Sequence, residues 1–323
     1  MKKFAINLAA FGLMGGCSYV ILLLVFGFTA PHMLRPNLPY DNDRIAGFSN
    51  LRFREAESVK NVDVLFLGSS HTYRGYDPRI FKRQGLNTFN LGSSAQTLRQ
   101  TKYLLDLYLD QMNPKVVVLD IYPKFLNLDG VESSIDLLSN TSLGIPALDM
   151  VLDIQDMRVF NTFLYNIVTD PFEQETQKQA VLTYKEDIYI RGGYTETYKV
   201  FSNSMKPTEI ERDEYAFDPE QYKAMLEIKG ELDKRNIKTI CMQSPILPAR
   251  YAKAAHKTYI DSTLRSHFPL YFNYNEINQL PEECFSDDQH LNQKGVNIFN
   301  AFVSSVIQKQ APYLYAERKR TIR

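Results

Sequence analysis

The sequence predicts an α/β protein in which a parallel β-sheet carries helices on both faces. From residue 62 onward, short apolar runs alternate with longer amphipathic segments, and several of the runs end at a glycine. The run at 114–122 (PKVVVLDIY) has the continuous apolar character of a strand buried on both faces. This alternation is typical of parallel strands joined by crossover helices. In such sheets ligands bind beyond the carboxyl ends of the strands, so the residues that follow each strand are the candidate site.

The N-terminal residues form a long apolar run, 4–28. A helix needs about 20 such residues to cross a bilayer, whereas the apolar part of a cleaved signal has about 7–15. Lys2 and Lys3 precede the run, and basic flanks stay on the cytoplasmic side. Lipidation at Cys17 is an alternative, but the apolar run continues well past it. We therefore expect residues 1–30 to be a single-pass anchor in the cell membrane, with an extracytoplasmic body.

The remaining elements follow in chain order. Residues 31–60 contain three prolines and are predicted to be a polar connector. An α/β domain is expected over 61–315, with an inserted region at about 124–217 that lacks a clear strand–helix unit, and a basic tail at 316–323. The pattern predicts strands at 62–67, 88–91, 114–122, 237–242 and 270–274, and helices opening at Asp77-Pro78 and spanning 95–112, 219–235, 249–268 and 292–309.

Composition and charge limit the classes of partner and cofactor that the protein is expected to bind. The chain has 37 basic and 37 acidic residues, so its net charge is zero and nothing in the overall charge favours nucleic acid as a partner. No cysteine or histidine spacing suggests a metal site, and no metal or organic cofactor is implied. Cys241 and Cys284 are either a disulfide or two buried free thiols.

Small residues follow the first two predicted strands. Gly68-Ser69-Ser70 ends the first, and a serine in such a turn is a nucleophile only if a base lies nearby. The alternative is a polar turn in which Ser70 caps the next helix. Gly92 ends the second strand, where a glycine lets a backbone N–H approach a ligand closely.

The segment before the last helix contains Asp287 and His290, three residues apart. At that spacing the carboxylate can accept the imidazole Nδ1–H and leave Nε2 free as a base. The alternative is a helix N-terminus with capping acids and a surface histidine. Together with the serine turn, the segment predicts a catalytic triad of Ser70, His290 and Asp287.

These motifs resemble those of the SGNH (GDSL-type) hydrolase superfamily. The first block of that family matches Gly68-Ser69-Ser70, with the nucleophile on Ser70. Its second-block glycine falls on Gly92, and its fifth block, Asp-x-x-His, falls on Asp287 and His290. The resemblance implies a flavodoxin-like three-layer α/β/α domain that transfers or hydrolyses acyl groups. It also implies an oxyanion hole formed by the backbone N–H groups of Ser70 and Gly92.

The chain departs from the family at the third block. The usual Gly-x-Asn-Asp is replaced by Asp120-Ile121-Tyr122-Pro123, so the asparagine that completes the oxyanion hole is missing. Either a side chain such as Tyr122 or Gln243 substitutes for it, or the enzyme is slow or specialised. Ser69 stands in place of the family aspartate.

The anchor, the inserted region and the Gly-Ser-Ser turn look like SGNH-like proteins of the DltD or alginate O-acetylation type. That likeness implies an acylated carbohydrate or cell-envelope polymer as substrate and a membrane-bound O-acyltransferase as partner. A second hypothesis follows from the missing asparagine: a non-catalytic module that docks such an acyltransferase or binds glycan.

Four further residues are candidates for substrate binding. His71 follows the nucleophile and is a second proton carrier, a carboxylate ligand or a packed turn residue. Arg74 is placed to bind an anionic group or to pair with a nearby acid. Gln96 lies in the turn after the second strand, and Tyr122 follows the third.

Overall fold

The computed structural model describes residues 1–35, 38, 47–169, 182–201 and 210–316, so the predicted basic tail lies, apart from Ala316, outside the described residues. The strands are β1 (Val64–Gly68), β2 (Thr88–Gly92), β3 (Val116–Asp120), β4 (Thr183–Tyr184), β5 (Asp187–Ile190), β6 (Tyr194–Thr197), β7 (Lys238–Gln243) and β8 (Tyr271–Asn273). The helices are α1 (Lys2–Thr29), α2 (Ser49–Ala56), α3 (Ser70–Gly75), α4 (Pro78–Arg83), α5 (Leu98–Met112), α6 (Val131–Asn140), α7 (Ile145–Ile154), α8 (Met157–Thr169), α9 (Pro219–Lys234), α10 (Pro248–Lys253), α11 (Lys257–His267), α12 (Tyr274–Ile277) and α13 (Gln293–Gln310). Short 3₁₀ segments cover His32–Leu34, Pro123–Asn127 and Glu282–Cys284.

The central sheet has five parallel strands in the order β2-β1-β3-β7-β8. The chain winds outward in one direction from β1 to β2 and in the other from β3 to β8, which is the flavodoxin-like order. The register places Gly68 beside both Gly92 and Asp120. The carboxyl ends of β1, β2 and β3 therefore meet at one edge, at the switch point where ligands bind in folds of this class.

Apolar side chains fill both faces of the sheet and give the three layers. Leu65 and Leu67 of β1 join the cluster formed with α2, α5, α9 and α11. Val64 and Phe66 point the other way, into the cluster formed with α4 and α13. A strand covered on both faces needs apolar residues at successive positions, which explains the unbroken run in β3. The predicted α/β/α architecture is confirmed.

The predicted helix at 249–268 is wrong in one respect, because the structure divides it into α10 and α11. His256 has a left-handed φ of 58°, which ends one helical path and begins another. Ala255 donates its N–H to the Asp213 carbonyl at 2.9 Å. The break thus serves to attach the end of the inserted region to the domain.

The predicted connector is also too long. Residues 49–56 form α2, in which Phe53 and Ala56 are fully buried in the core. The residue just before Phe53, Arg52, is buried too and donates to the Gly193 carbonyl at 2.9 Å. The pattern of α2 is hard to recognise because its mean composition is polar while its inward face is not.

In its described parts, 124–169, 182–201 and 210–217, the inserted region contains the helices α6 to α8 and the antiparallel sheet β4-β5-β6. The turn between β5 and β6 lies against β2, where the Asn90 N–H donates to the Gly192 carbonyl at 2.9 Å. Covering the outer edge of β2 in this way removes an exposed strand edge.

Helix α1 is long and apolar enough to cross a membrane, with a mean hydropathy of 2.2 in its most apolar stretch. Its C-terminal half packs on α8 of the inserted region. Tyr19 donates a hydrogen bond to Asn161, and the Phe28 and Tyr165 rings lie 5.7 Å apart. Gly27 permits this contact, since a Cβ there would lie 2.1 Å from the Tyr165 ring.

Both body cysteines are buried free thiols: Cys241 in β7 and Cys284 at the end of a 3₁₀ segment. Of the two alternatives open from the sequence, the structure has the unpaired one. Burial raises the pKa of both thiols, which makes them poor nucleophiles.

Candidate active site

Ser70, His290 and Asp287 come together at the carboxyl edge of the sheet. The Ser70 Oγ lies 2.7 Å from the His290 Nε2. On the other side of the ring, the His290 Nδ1 lies 2.9 and 3.0 Å from the two carboxylate oxygens of Asp287. The Nδ1–H therefore donates to the carboxylate, and Nε2 is free to accept the Ser70 hydroxyl proton.

Local structure places each member of this triad. Ser69 is the N-cap that starts α3 directly after β1, so Ser70 is the first helical residue and its side chain is largely buried. The loop that carries Asp287 and His290 closes on itself, because the Ser286 N–H donates to the His290 carbonyl at 2.9 Å. Asn292 then caps α13. The bond from His290 Nε2 to Ser70 joins residues 220 positions apart in the sequence.

Asp287 is held in its ionised form. Burial opposes ionisation, but the neighbouring His290 and three hydrogen bonds to the carboxylate outweigh it and place the pKa well below the ordinary 3.8. Two of these bonds come from the N–H groups of Gln289 and His290, each at 2.8 Å. A fixed carboxylate of this kind holds the imidazole in one tautomer and stabilises the imidazolium that forms during catalysis.

Two glycines allow the strand ends to meet the serine turn. Gly68 has a φ of 145°, and a Cβ there would lie 2.3 Å from the Asp120 carbonyl oxygen. A Cβ on Gly92 would lie 2.7 Å from the Ser69 carbonyl oxygen. The backbone of Gly92 is thereby brought against the turn that carries Ser70, where the predicted oxyanion donors are expected.

The polar side chains at and near the third-block position are hydrogen-bonded to other parts of the protein. Asp120 is buried and accepts hydrogen bonds from the Tyr76 hydroxyl, at 2.6 Å, and from the Ser244 hydroxyl. The Tyr122 hydroxyl donates to Asp213 at 2.7 Å. The Gln243 amide donates to Asp261 at 3.1 Å and contacts the Tyr271 hydroxyl at 2.5 Å. Neither Tyr122 nor Gln243 offers a free donor in place of the missing asparagine, and that expectation is corrected.

His71 has a free donor. Its ring lies between the rings of Tyr122 and His290, with centroids 4.3 and 5.2 Å away. Burial, and then the nearby His290, lower the pKa of its imidazole to about 3, so the ring is neutral at ordinary pH. The Ser69 Oγ accepts from the His71 backbone N–H and lies 3.2 Å from Nδ1. An Oγ that already accepts one bond is placed to donate its hydrogen to Nδ1, which puts the ring proton on Nε2.

The Nε2–H of His71 is buried and makes no hydrogen bond within the described part of the chain. The Gln289 backbone lies close enough to raise the pKa of the His71 ring as a weak hydrogen-bond acceptor, although it falls outside standard hydrogen-bond geometry. A buried donor without a partner costs about 1–3 kcal/mol and is uncommon outside functional sites.

Two other candidates are already paired. The Arg74 guanidinium binds Asp187 through two hydrogen bonds, of 3.1 and 2.6 Å, and is thus not a free cation. It ties α3 to β5 beside a cavity of about 220 Å³ that Asp287 also lines. The Gln96 carboxamide accepts from Ser93 at 2.9 Å and donates to Thr101 at 2.8 Å. It is buried and shapes the turn before α5, with no free group for a substrate.

Sequence reasoning missed Arg250, which supports the loop that carries Asp287 and His290. We call this loop, residues 286–290, the catalytic loop. Arg250 is buried and donates to Asp213 at 2.6 and 2.8 Å. It also pairs with Asp288, the residue after the catalytic carboxylate, and the hydroxyl of Tyr122 donates to the same Asp213. No motif surrounds Arg250, because its partners come from distant parts of the chain.

No protein-family model and no curated protein sequence matches this chain. Solved structures that match include a candidate acylhydrolase from Bacteroides fragilis, with 12% identity, covering 81% of this chain and 98% of that chain at a TM-score of 0.42. A GDSL-like lipase from Bacteroides thetaiotaomicron has 14% identity, covering 82% and 98% at a TM-score of 0.42. A gut microbial diltiazem-metabolizing enzyme has 13% identity, covering 77% and 47% at a TM-score of 0.26.

The class of the protein therefore follows from its own geometry. A doubly wound parallel sheet with serine, histidine and aspartate hydrogen-bonded in series at its carboxyl edge defines an α/β protein with a hydrolase-type triad.

Proposed function

We propose that the protein is a serine-dependent enzyme of acyl esters, of the SGNH (GDSL-type) kind, that either hydrolyses an ester or transfers its acyl group. The observation that carries this proposal is the continuous chain from the Ser70 Oγ through the His290 ring to the Asp287 carboxylate. Serine alone is a weak nucleophile, and a hydrogen-bonded base that is itself oriented by a carboxylate is what activates it.

The reaction has two halves. Ser70 Oγ attacks the acyl carbonyl carbon while His290 Nε2 takes the hydroxyl proton. The tetrahedral intermediate collapses to an acyl-serine, and the leaving alcohol receives the proton from His290. In the second half, water or a carbohydrate hydroxyl attacks the acyl-serine and loses its proton to His290. The bond from the acyl carbon to the Ser70 Oγ then breaks, His290 returns the proton to that Oγ, and the acid or the new ester is released. Asp287 stabilises the imidazolium in both halves.

The negative oxygen of the intermediate is held by the backbone N–H groups of Ser70 and Gly92 and by the Nε2–H of His71. The close packing of Gly92 on the serine turn and the unpartnered donor of His71 support this assignment. A neutral imidazole can act as such a donor, because it needs no charge to polarise a carbonyl. His71, which follows the first-block serine, then takes the place of the missing asparagine.

The substrate and the location are inferred from the anchor. Helix α1 follows two lysines and would hold the body on the extracytoplasmic side of the cell membrane. An acylated carbohydrate or cell-envelope polymer is the acyl donor or acceptor within reach of such a body. A membrane-bound O-acyltransferase would be its partner, delivering acyl groups that Ser70 carries to the polymer.

The experiment is ester hydrolysis by the full chain in detergent, with p-nitrophenyl acetate as substrate. We expect release of p-nitrophenol by the native protein and a loss of about 10³-fold or more in Ser70→Ala. Ser266→Ala changes an exposed serine of α11 and serves as the matched control, which should retain full activity. Equal activity in Ser70→Ala and the control would refute the assignment of Ser70.

A second candidate is a non-catalytic module that docks an acyltransferase or binds glycan. The observation that favours it is the absence of the third-block asparagine, with Tyr122 and Gln243 bonded elsewhere. It predicts that polymer acylation in cells survives Ser70→Ala but not deletion of α1. Loss of acylation in Ser70→Ala cells, with normal protein levels, would exclude it.

A further inference from the structure

Exposed apolar side chains are concentrated on two successive helices of the inserted region. Helix α7 exposes Ile145, Leu148 and Leu152, and α8 exposes Met157, Phe160, Ile167 and Val168. We call these seven residues the α7–α8 apolar face. Elsewhere in the described parts of the body, large exposed apolar side chains occur singly or, at Tyr198 and Val200, as a pair, which is normal for a protein surface. A cluster of this kind marks a surface that meets another apolar body.

The spacing shows that each half of this face is a single stripe. Residues 145, 148 and 152, and likewise 157, 160 and 168, recur at intervals that return to the same side of a helix. Between 157 and 169 the one charged residue is Arg158. Helix α8 is therefore apolar on two sides, the exposed one and the one buried against α6 and α7 through residues such as Val159 and Phe163.

The contact between α8 and α1 indicates the depth at which this face lies relative to the bilayer. Asn161 and Tyr165, on α8, contact Tyr19, Gly27 and Phe28 at the outer end of α1. A helix of 28 residues is about 42 Å long, whereas the hydrocarbon layer is about 30 Å thick. If the layer begins just after the two lysines, its outer boundary falls near Leu23. Helix α8 therefore lies beside the level at which the hydrocarbon gives way to the headgroups.

We infer that the α7–α8 apolar face is inserted into the outer headgroup–acyl boundary of the bilayer, so that the body lies on the membrane surface and is not merely tethered to it. Interfacial helices bury their apolar side about 5–10 Å into this zone. The occupant is lipid because the face continues sideways from a helix that already spans the membrane. The inference rests on the anchor in the proposed function but not on its ester chemistry.

The test places a nitroxide label at single cysteines in the full chain reconstituted in phosphatidylcholine vesicles, in a Cys17→Ala background. Cys241 and Cys284 are buried thiols and stay unlabelled. The variants are Leu152→Cys, Phe160→Cys and Val168→Cys. Ile298→Cys and Tyr259→Cys, at exposed apolar positions on other helices, are the matched controls. Leu13→Cys, inside α1, reports whether the anchor spans.

We measure the collision rates of each label with oxygen, which is enriched in lipid, and with a water-soluble nickel chelate. The expected result is a positive logarithm of the oxygen-to-nickel ratio at positions 13, 152, 160 and 168, and a negative one at 259 and 298. Negative values at 152, 160 and 168 with a positive value at 13 would overturn the inference and leave the anchor intact. A low rate with both reagents at 152, 160 and 168 would show a protein partner there and also overturn it. A negative value at 13 would remove the anchor itself and the inference with it.

Discussion

At the scale of single residues, the site divides into groups that the sequence reveals and groups that it hides. Asp287 and His290 are three positions apart, so their hydrogen bond depends on a local loop and could be predicted. The free donor of His71 could not be predicted. It depends on which ring nitrogen is hydrogen-bonded to the Ser69 hydroxyl and on burial of the ring by Tyr122. Arg74 and Gln96 show the reverse error, since partners already satisfy them: Asp187, distant in the sequence, for Arg74, and the nearby Ser93 and Thr101 for Gln96.

His71→Phe tests the assigned donor. Phenylalanine keeps a ring between Tyr122 and His290 but removes the Nε2–H. We expect kcat for p-nitrophenyl acetate to fall by about 10²-fold, as for the loss of one oxyanion donor. The free energy of unfolding should be unchanged or higher, because a buried donor without a partner is removed. A packed turn residue predicts the opposite pair of results, namely lower stability with nearly full activity.

At the scale of elements, the catalytic loop is supported by the start of α10. Arg250 joins that helix to Asp288 in the loop and to Asp213 at the end of the inserted region. The Leu247 N–H adds a bond to the Asp288 carbonyl at 3.2 Å. The position of Asp287 therefore depends on an element that has no catalytic residue of its own. The five strands of the central sheet were predictable from apolar periodicity, but this support was not, because it consists of polar contacts between distant segments.

Arg250→Gln tests this support. The change removes the two hydrogen bonds from Arg250 to the buried Asp213 carboxylate and leaves Lys124, at 3.4 Å, as its cation. We expect the free energy of unfolding of the full chain in detergent to fall by about 3 kcal/mol, the low end for breaking a buried ion pair. We also expect kcat to fall more than KM changes, because the loop that orients His290 loosens. Arg158→Gln, in an exposed pair with Asp156, should cost about 1 kcal/mol or less. Equal, small effects of the two substitutions would contradict the proposed role of Arg250.

At the scale of the whole molecule, the sheet edge carries a buried acid that makes stability depend on pH. Asp120 ends β3 and accepts hydrogen bonds from Tyr76, after α3, and from Ser244, after β7. Burial raises the pKa of its carboxyl from 3.8 to about 6. The unfolded chain therefore gives up this proton more readily than the folded one. Stability is fully present below the unfolded pKa and is lost as the pH rises through the folded pKa.

Asp120→Asn isolates this effect. We expect the free energy of unfolding of the native protein, relative to the variant, to fall by about 2 kcal/mol between pH 4.5 and 7.5. Urea unfolding of both full chains in detergent at the two pH values measures it, and the other titrating groups cancel in the difference. A difference that stays constant, or that rises with pH, would show that Asp120 is not the group responsible.

The overall architecture was predictable because buried parallel strands leave an unmistakable apolar signature, whereas the inserted region was not. Helix α2, in the predicted connector, was also missed, because its inward residues Phe53 and Ala56 are too few to shift its polar average. The helices α7 and α8 are harder still, because their exposed apolar residues obscure the contrast between an inner and an outer face. An apolar pattern predicts a helix well only where the opposite face of that helix is polar and contacts water.

The central claim is that His290 and Asp287 make Ser70 a nucleophile. The most direct measurement is covalent labelling of the full chain with a fluorophosphonate, followed by intact mass and peptide mapping. The account predicts one adduct, on Ser70, that is absent in Ser70→Ala and forms far more slowly in His290→Ala. No adduct on the native protein, or an equal rate of labelling in Ser70→Ala, would contradict it.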